Sequence, residues 1–170
     1  MVLQNWIDDL NLRCVEKWRI GLFGSFYFTG NVIGSTLLSQ YGDTIGRIPL
    51  IRVGQGISVL CYFFIVFLTR DVQFIYALCL IIGLFSCWRL SLGFIYGQEI
   101  IKETRQNLGG AMFNLFDASV VIFSSIYLLN ISRNWVNLHT IFICLATLAF
   151  LISLIMPESP KFLVQRKEYD

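Results

Sequence analysis

The chain has 170 residues, of which 56% are hydrophobic and 14% charged, with a formal net charge of +2 and a mean hydropathy of +0.67. Soluble domains carry about 25% charged residues, so this composition excludes an ordinary soluble domain and indicates an integral membrane protein of one domain. The small net charge gives no support to a nucleic-acid partner. Lipid offers no hydrogen bonds to an unpaired backbone, so an all-α fold is expected throughout the membrane.

Residues 1–19 read as an N-terminal interfacial segment. Asp8, Asp9 and Glu16 interrupt the stretch where a signal peptide needs an uncharged core. Leu3, Trp6, Ile7, Leu10, Cys14 and Trp18 recur at helical spacing. They describe either an amphipathic helix lying in the membrane interface or a loop with anchoring tryptophans.

Residues 20–157 read as five transmembrane helices. The first span, about 20–40, contains Gly30 and Gly34, a small-x-x-x-small face that lets another helix approach closely. Its Asn31 suits an interhelical hydrogen bond. Next comes Gln40-Tyr41-Gly42-Asp43-Thr44-Ile45-Gly46-Arg47-Ile48-Pro49, a polar, Gly-punctuated turn. Asp43 is placed to accept N–H bonds from the start of the following helix. Arg47 can pair with Asp43 or reach headgroups, and Pro49 fits a first helical turn.

The second span, about 49–68, carries Arg52 in its first turn, where it can snorkel to the headgroups. Thr69 to Gln73 is too short for anything but an antiparallel return. The third span, about 74–96, holds Arg89 roughly 10 Å below its far end at 1.5 Å per residue. A polar connector, Gln98 to Asn107, leads to the fourth span, about 108–129, with Asn114 and Asp117 on one face. Asp117 falls roughly 13 Å from the same membrane face. Equal depth on consecutive antiparallel helices predicts an Arg89–Asp117 ion pair, since an unpaired charge in a membrane is costly. The pair either holds two helices in register or, with Asn114, lines a solute path.

Asn130 to Trp135 is the next turn, with Trp135 as an interface anchor. The fifth span, about 138–156, stops at Pro157 and Pro160, which cannot continue a helix. Residues 158–170 read as a charged, solvated C-terminal tail. Positive residues Arg47, Arg52, Lys102, Arg105, Lys161, Arg166 and Lys167 outnumber Arg13, Lys17, Arg19, Arg70 and Arg133 on the other face. That bias places the Gly-Asp turn and the C-terminus inside.

Cys14, Cys61, Cys79, Cys87 and Cys144 form no C-x-x-C pair and read as small buried apolar residues, not disulfides or metal ligands. His139 has no neighbouring ligand set and suits an interface position. No phosphate loop, metal-ligand cluster or Ser/His/Asp set stands out, so no catalytic residue, metal or cofactor is assigned.

The landmarks, taken together, resemble a known family. Gly42-Asp43-Thr44-Ile45-Gly46-Arg47 is similar to the loop between the second and third helices of major facilitator superfamily transporters. Leu10-Asn11-Leu12-Arg13-Cys14 with Trp18 resembles the segment before the second helix in organic-ion transporters. Tyr96-Gly97-Gln98-Glu99 with Arg105 resembles the Glu…Arg motif after the fourth helix, and Pro157-Glu158-Ser159-Pro160 with Phe162-Leu163 the motif closing the sixth. They follow the family's order almost end to end. There are departures: no further basic residues follow Gly46-Arg47, and the Glu99–Arg105 spacing is one residue short and lacks its central proline.

The resemblance, to the sugar-porter and organic-ion-transporter branch, equates the five spans with helices two to six of the N-terminal half. The first helix and second half have no counterpart in these residues. It implies that Asp43 and Arg47 latch the halves together and that Glu99, Arg105 and Glu158 join an intracellular charge network. Two functions follow. One is secondary transport of a small organic solute, a sugar or an organic ion, when another half or partner completes the path. The other is a non-transporting, transporter-derived accessory subunit packed against other membrane subunits in a larger complex. Either is a multi-pass protein of the plasma membrane or an organelle inner membrane.

Overall fold

A computed structural model describes residues 6–38, 40–132 and 134–166, without the side chains of residues 165 and 166. Leu3, Arg133, Lys167, the rest of residues 1–5 and 167–170, and the Arg166 side chain therefore lie outside the description.

Among the described residues every regular element is helical: α1 (Trp6–Asp9), α2 (Lys17–Leu37), α3 (Tyr41–Thr44), α4 (Arg47–Phe63), α5 (Val72–Cys87), α6 (Gly93–Ile100), α7 (Gln106–Asn130), α8 (Trp135–Ile155) and α9 (Pro160–Arg166). A π-helical turn, Phe64–Leu68, extends α4, and another, Trp88–Leu92, joins α5 to α6 without a break. Among the described residues, four continuous helices are long and apolar enough to cross a membrane: Arg47–Leu68, Val72–Ile100, Glu103–Asn130 and Trp135–Val164.

The remaining span, first in the chain, is α2, which Asn31 and its small polar residues make less apolar. Its 21 residues cover about 31 Å at 1.5 Å per residue, the thickness of a hydrocarbon core. Contacts with α5 fix its course. Tyr76 donates to the Arg19 carbonyl at 2.6 Å at one end, and Trp88 Nε1 donates to the Leu38 carbonyl at 2.8 Å at the other. Both sequences ascend together, so the helices are parallel and α2 crosses wherever α5 does. Between those anchors Gly30, Gly34 and Gly83 bring backbone against backbone; a Cβ on Gly83 would collide with the Tyr27 carbonyl. The small-residue face thus finds its partner in α5.

Boundaries follow local chemistry. Asp71 accepts from Gln73 N at 3.1 Å to cap α5, and Asn134 accepts from Val136 N at 2.9 Å to cap α8. Pro49 sits in the first turn of α4, and Pro160 opens α9. Arg52 does not snorkel. Its Nε donates to the Ser153 carbonyl at 2.9 Å, and its Nη2 to Leu154 at 3.2 Å and Met156 at 2.9 Å. These are the terminal carbonyls of α8, where the helix dipole attracts a cation. Arg52→Ala is expected to lower stability by about 2 kcal/mol, and Arg52→Lys, which lacks the fork, to recover less than half of that. Thermal unfolding in detergent reads both.

The N-terminal segment differs from the predicted interfacial helix. Among its described residues before α2, Trp6–Asp9 is helical, and the chain then turns at Asn11, whose φ is +53°. The turn is clasped by Arg13 on Asp8, a hydrogen bond that holds the Asp8 carboxyl below its ordinary value. The segment docks on the bundle. Leu12 is buried, Trp6 meets Phe23 edge-on, and Trp135 Nε1 donates to Asp9 Oδ2 at 2.6 Å. Trp135 is therefore a buried anchor for this segment, packed with Val66 and Ile143. Cys61 and Cys87 are buried, whereas Cys14 and Cys144 are exposed; all five cysteines are free thiols.

Candidate functional site

Residue types, spacing and the loop resemblance single out two places: the polar corner around Asp43 and the intramembrane charges.

At the corner, α3, the start of α4, the end of α6 and the start of α9 converge. Gly46 adopts φ +113° and turns the chain into α4. A Cβ there would lie 2.8 Å from Glu158 Oε2, so glycine is needed on both counts. The first N–H groups of α4 have no partner within the helix. Glu158 takes them: Arg47 N donates at 3.1 Å, and Ile48 N at 3.3 and 3.2 Å to the two carboxylate oxygens. Ser159 N donates to the same group at 3.1 Å. The carboxylate expected at this helix start was Asp43, but its side chain is 81% exposed within α3, touching only Arg47 Nη2 at 3.4 Å. The residue that caps α4 comes from the far end of the chain.

Arg47 Nη2 lies 3.2 Å from Glu99 Oε1, both side chains being nearly buried. Ser159, fully buried, donates to Glu99 Oε2 at 2.6 Å, and Tyr96 donates to the Pro157 carbonyl at 2.9 Å. Gly42 and Leu92 close the corner underneath, and Phe162 of α9 is buried against Gly46. The corner therefore unites Gly42, Gly46, Arg47, Glu99 and Glu158. Asp43 stays at its rim. Arg105 is exposed and joins no ion pair among the described residues. The tail expected to be solvated begins instead with a docked helix.

The intramembrane charges behave differently. Phe94 meets Phe113 edge-on, and Gly97 abuts Phe113. Continued along both helices, that antiparallel register puts Arg89 level with Ala118, beside Asp117. The two residues lie level, yet the ion pair is absent among the described residues. Rise along the axis sets depth, but winding sets direction. Arg89 lies in the π-helical turn, whose wider winding changes the face each side chain occupies.

Arg89 instead borders a cleft of about 340 Å³ between α4, α5 and α8, lined by Gln55, Ser58, Val59, Tyr62, Phe142 and Ala146 among others. Its Nε is buried without a hydrogen-bond partner among the described residues. Asn114 and Asp117 lie on α7, a helix without a single buried residue. Gln55, Ser58 and Tyr62 went unassigned from sequence, although they share one face of α4 at helical spacing. Polar residues recurring on one face of a span were the available signal.

Comparison with known proteins finds relatives among transporters. A family model described as "Sugar (and other) transporter" matches residues 8–170. The chain is 24% identical over 172 residues to organic cation/carnitine transporter 2 of Homo sapiens, covering 99% of this chain and 30% of that protein. It is 24% identical over 160 residues to solute carrier family 22 member 15-like of Xenopus laevis, covering 94% and 32%. It is 27% identical over 158 residues to sugar transporter ERD6-like 8 of Arabidopsis thaliana, covering 92% and 32%. The chain thus spans about a third of the length of these relatives.

Proposed function

Because this chain belongs to the sugar (and other) transporter family of the major facilitator superfamily, we propose that its helices form part of the N-terminal half of a secondary carrier for a small organic solute, a sugar or an organic ion. Its relatives are named as transporters, which supports a membrane-transport role without enzyme chemistry. The bundle carries solute only when completed, by further chain or by a partner subunit.

The observation that carries this reading is α7. Asn114 and Asp117 stand on it in mid-membrane, and none of its 25 residues is buried. An exposed carboxylate facing lipid is strongly unfavourable, so such a helix belongs against protein or a wet path. A five-helix bundle whose bare, largely apolar wall carries Asn114 and Asp117 supplies one side of a pathway and requires another side.

Uptake of radiolabelled sugars and organic ions by proteoliposomes containing the assembly purified from native membranes tests it. Saturable uptake is expected, falling at least tenfold on Asp117→Asn or Arg89→Gln. Absence of uptake with every solute, while the chain copurifies within a large complex, would replace this reading with that of a non-transporting accessory subunit.

A further inference from the structure

We propose that residues 6–13 form a hinged cap on the bundle, that Asp9 is its latch, and that releasing this latch opens the bundle to water at the membrane face opposite the corner. The proposal rests on contacts made within this chain and stands whether or not a solute is carried across.

The cap is closed on itself. Leu10 N donates to the Trp6 carbonyl at 3.0 Å, Leu12 N to the Ile7 carbonyl at 2.8 Å and Asn11 N to the Asp8 carbonyl at 3.1 Å. Arg13 Nη2 donates to Asp8 Oδ2 at 2.6 Å and ties the end of the turn back to its start. A segment with these internal bonds parts from its seat as one unit. On one side Leu12 is buried, and residues 14–16 lead from it into α2, so the pivot lies there. On the other side stands Asp9. Its Oδ2 accepts from Trp135 Nε1, in the first turn of α8, at 2.6 Å. The same oxygen lies 3.9 Å from Arg70 Nη1, in the turn that leads into α5. One carboxylate thus fastens the cap to two elements that its own chain does not reach. Trp135 is buried and Arg70 exposed, so the bond to tryptophan is the stronger of the two.

The underside of the cap is apolar. Trp6 and Leu10 roof a space of about 220 Å³ whose walls include Phe23, Ile75, Cys79 and Trp135. Trp6 meets Phe23 edge-on, with ring centroids 5.5 Å apart. Burial of such surface is non-directional and does not by itself fix where the cap sits. The bonds of Asp9 do, because a hydrogen bond has a required distance and angle. Cys79, half-buried, is seven residues into α5, about 10 Å from its start, and so lies beneath the roof. The latch also touches the interior. His139 stands edge-on to Trp135 at 5.2 Å and tilted against Tyr62 at 5.7 Å. Tyr62 borders both the roofed space and the cleft beside Arg89. A shift of Trp135 on release therefore reaches the side chain that the two spaces share.

The test uses the full chain, with its native cysteines, in phosphatidylcholine nanodiscs. A negatively charged methanethiosulfonate that does not enter lipid is the probe, and peptide mass spectrometry reads the rate of modification at each thiol. In the unaltered protein Cys79 should react slowly and Cys14, exposed just past the cap, rapidly. Asp9→Ala should speed Cys79 at least about tenfold, as loss of a hydrogen bond to a charged group does. Trp135→Phe keeps an aromatic ring but lacks the N–H, so it should do the same, and it serves if Asp9→Ala does not fold. Both changes together should do no more than either alone, because they remove one contact. Arg70→Gln should speed Cys79 by no more than about fivefold, since an exposed ion pair contributes little. Cys87, packed with Leu50 and Leu92 further along α5, should stay protected in every variant. Modification of Cys87 in step with Cys79 would mean that the whole bundle unfolds, and would overturn the proposal. So would rapid reaction of Cys79 in the unaltered protein, an unchanged rate in Asp9→Ala or Trp135→Phe, or additive effects of the two.

Discussion

Gly83→Leu is expected to separate α2 from α5 and to destabilise the bundle more than any other single substitution considered. A side chain at Gly83 would strike the Tyr27 carbonyl and approach Asn31 N to 3.1 Å; one at Gly30 would strike the Leu80 carbonyl and lie 2.8 Å from Leu84 N. All these atoms are backbone, so no rotamer change can make room. Overpacking costs about 1–3 kcal/mol where neighbours can shift; with rigid backbone on both sides the loss should reach or exceed the upper figure. The anchors from Tyr76 to Arg19 and from Trp88 to Leu38 would part with it. Gly21→Leu and Gly24→Leu are the controls, because nothing lies within 4 Å of a Cβ at either position. Unfolding midpoints in detergent should fall steeply for Gly83→Leu and stay within error for both controls. Equal effects at all three positions would mean that glycine acts through helix propensity and not through the α2–α5 contact.

The second large effect is expected at Glu158. Its carboxylate receives the N–H groups of Arg47, Ile48 and Ser159, joining α4 to the segment after α8. Alanine there removes a cap and leaves partly buried donors unpaired, a loss of about 2–4 kcal/mol. Glutamine keeps one acceptor oxygen but sets an NH₂ against backbone N–H groups, so about half of that loss should remain. Asp43→Ala should change stability by less than about 0.5 kcal/mol, since an exposed ion pair contributes little. The same unfolding assay separates them, and protease sensitivity between α8 and α9 should rise for Glu158→Ala alone. Were Asp43→Ala as damaging as Glu158→Ala, the assignment of the α4 cap to Glu158 would be wrong.

The contrast between those two carboxylates shows how far the sequence could be read. The spans were legible because lipid forces long apolar runs into helices, and run length fixes their number. Gly30 and Gly34 were legible because small residues at helical spacing have few other uses in a membrane. Asp43 was misjudged because proximity in sequence favoured a local cap, while Glu158 reaches α4 only once α8 has returned to the same end. Arg52 was misjudged for the same reason: its acceptors, the last carbonyls of α8, are tertiary neighbours. For Arg89 the rise per residue set it level with Asp117, but a π-helical turn has no clear sequence signature, and its direction could not be derived. The N-terminal segment kept its apolar residues yet not its long helix, because tertiary packing buries Leu12 and partly buries Trp6.

The corner and the proposed role both depend on one arrangement: α3, the α6–α7 connection and α9 at one membrane face, with Asp9, Arg70 and Trp135 at the other. Sided labelling of single cysteines tests it, with the five native cysteines replaced by serine. Probes at Thr44, Lys102 and Lys161 should react with an impermeant maleimide from one side of sealed vesicles, and probes at Arg13 and Arg70 only from the other. Reaction of Thr44 and Lys161 from opposite sides, or of Arg70 and Lys102 from the same side, would contradict the five-crossing bundle.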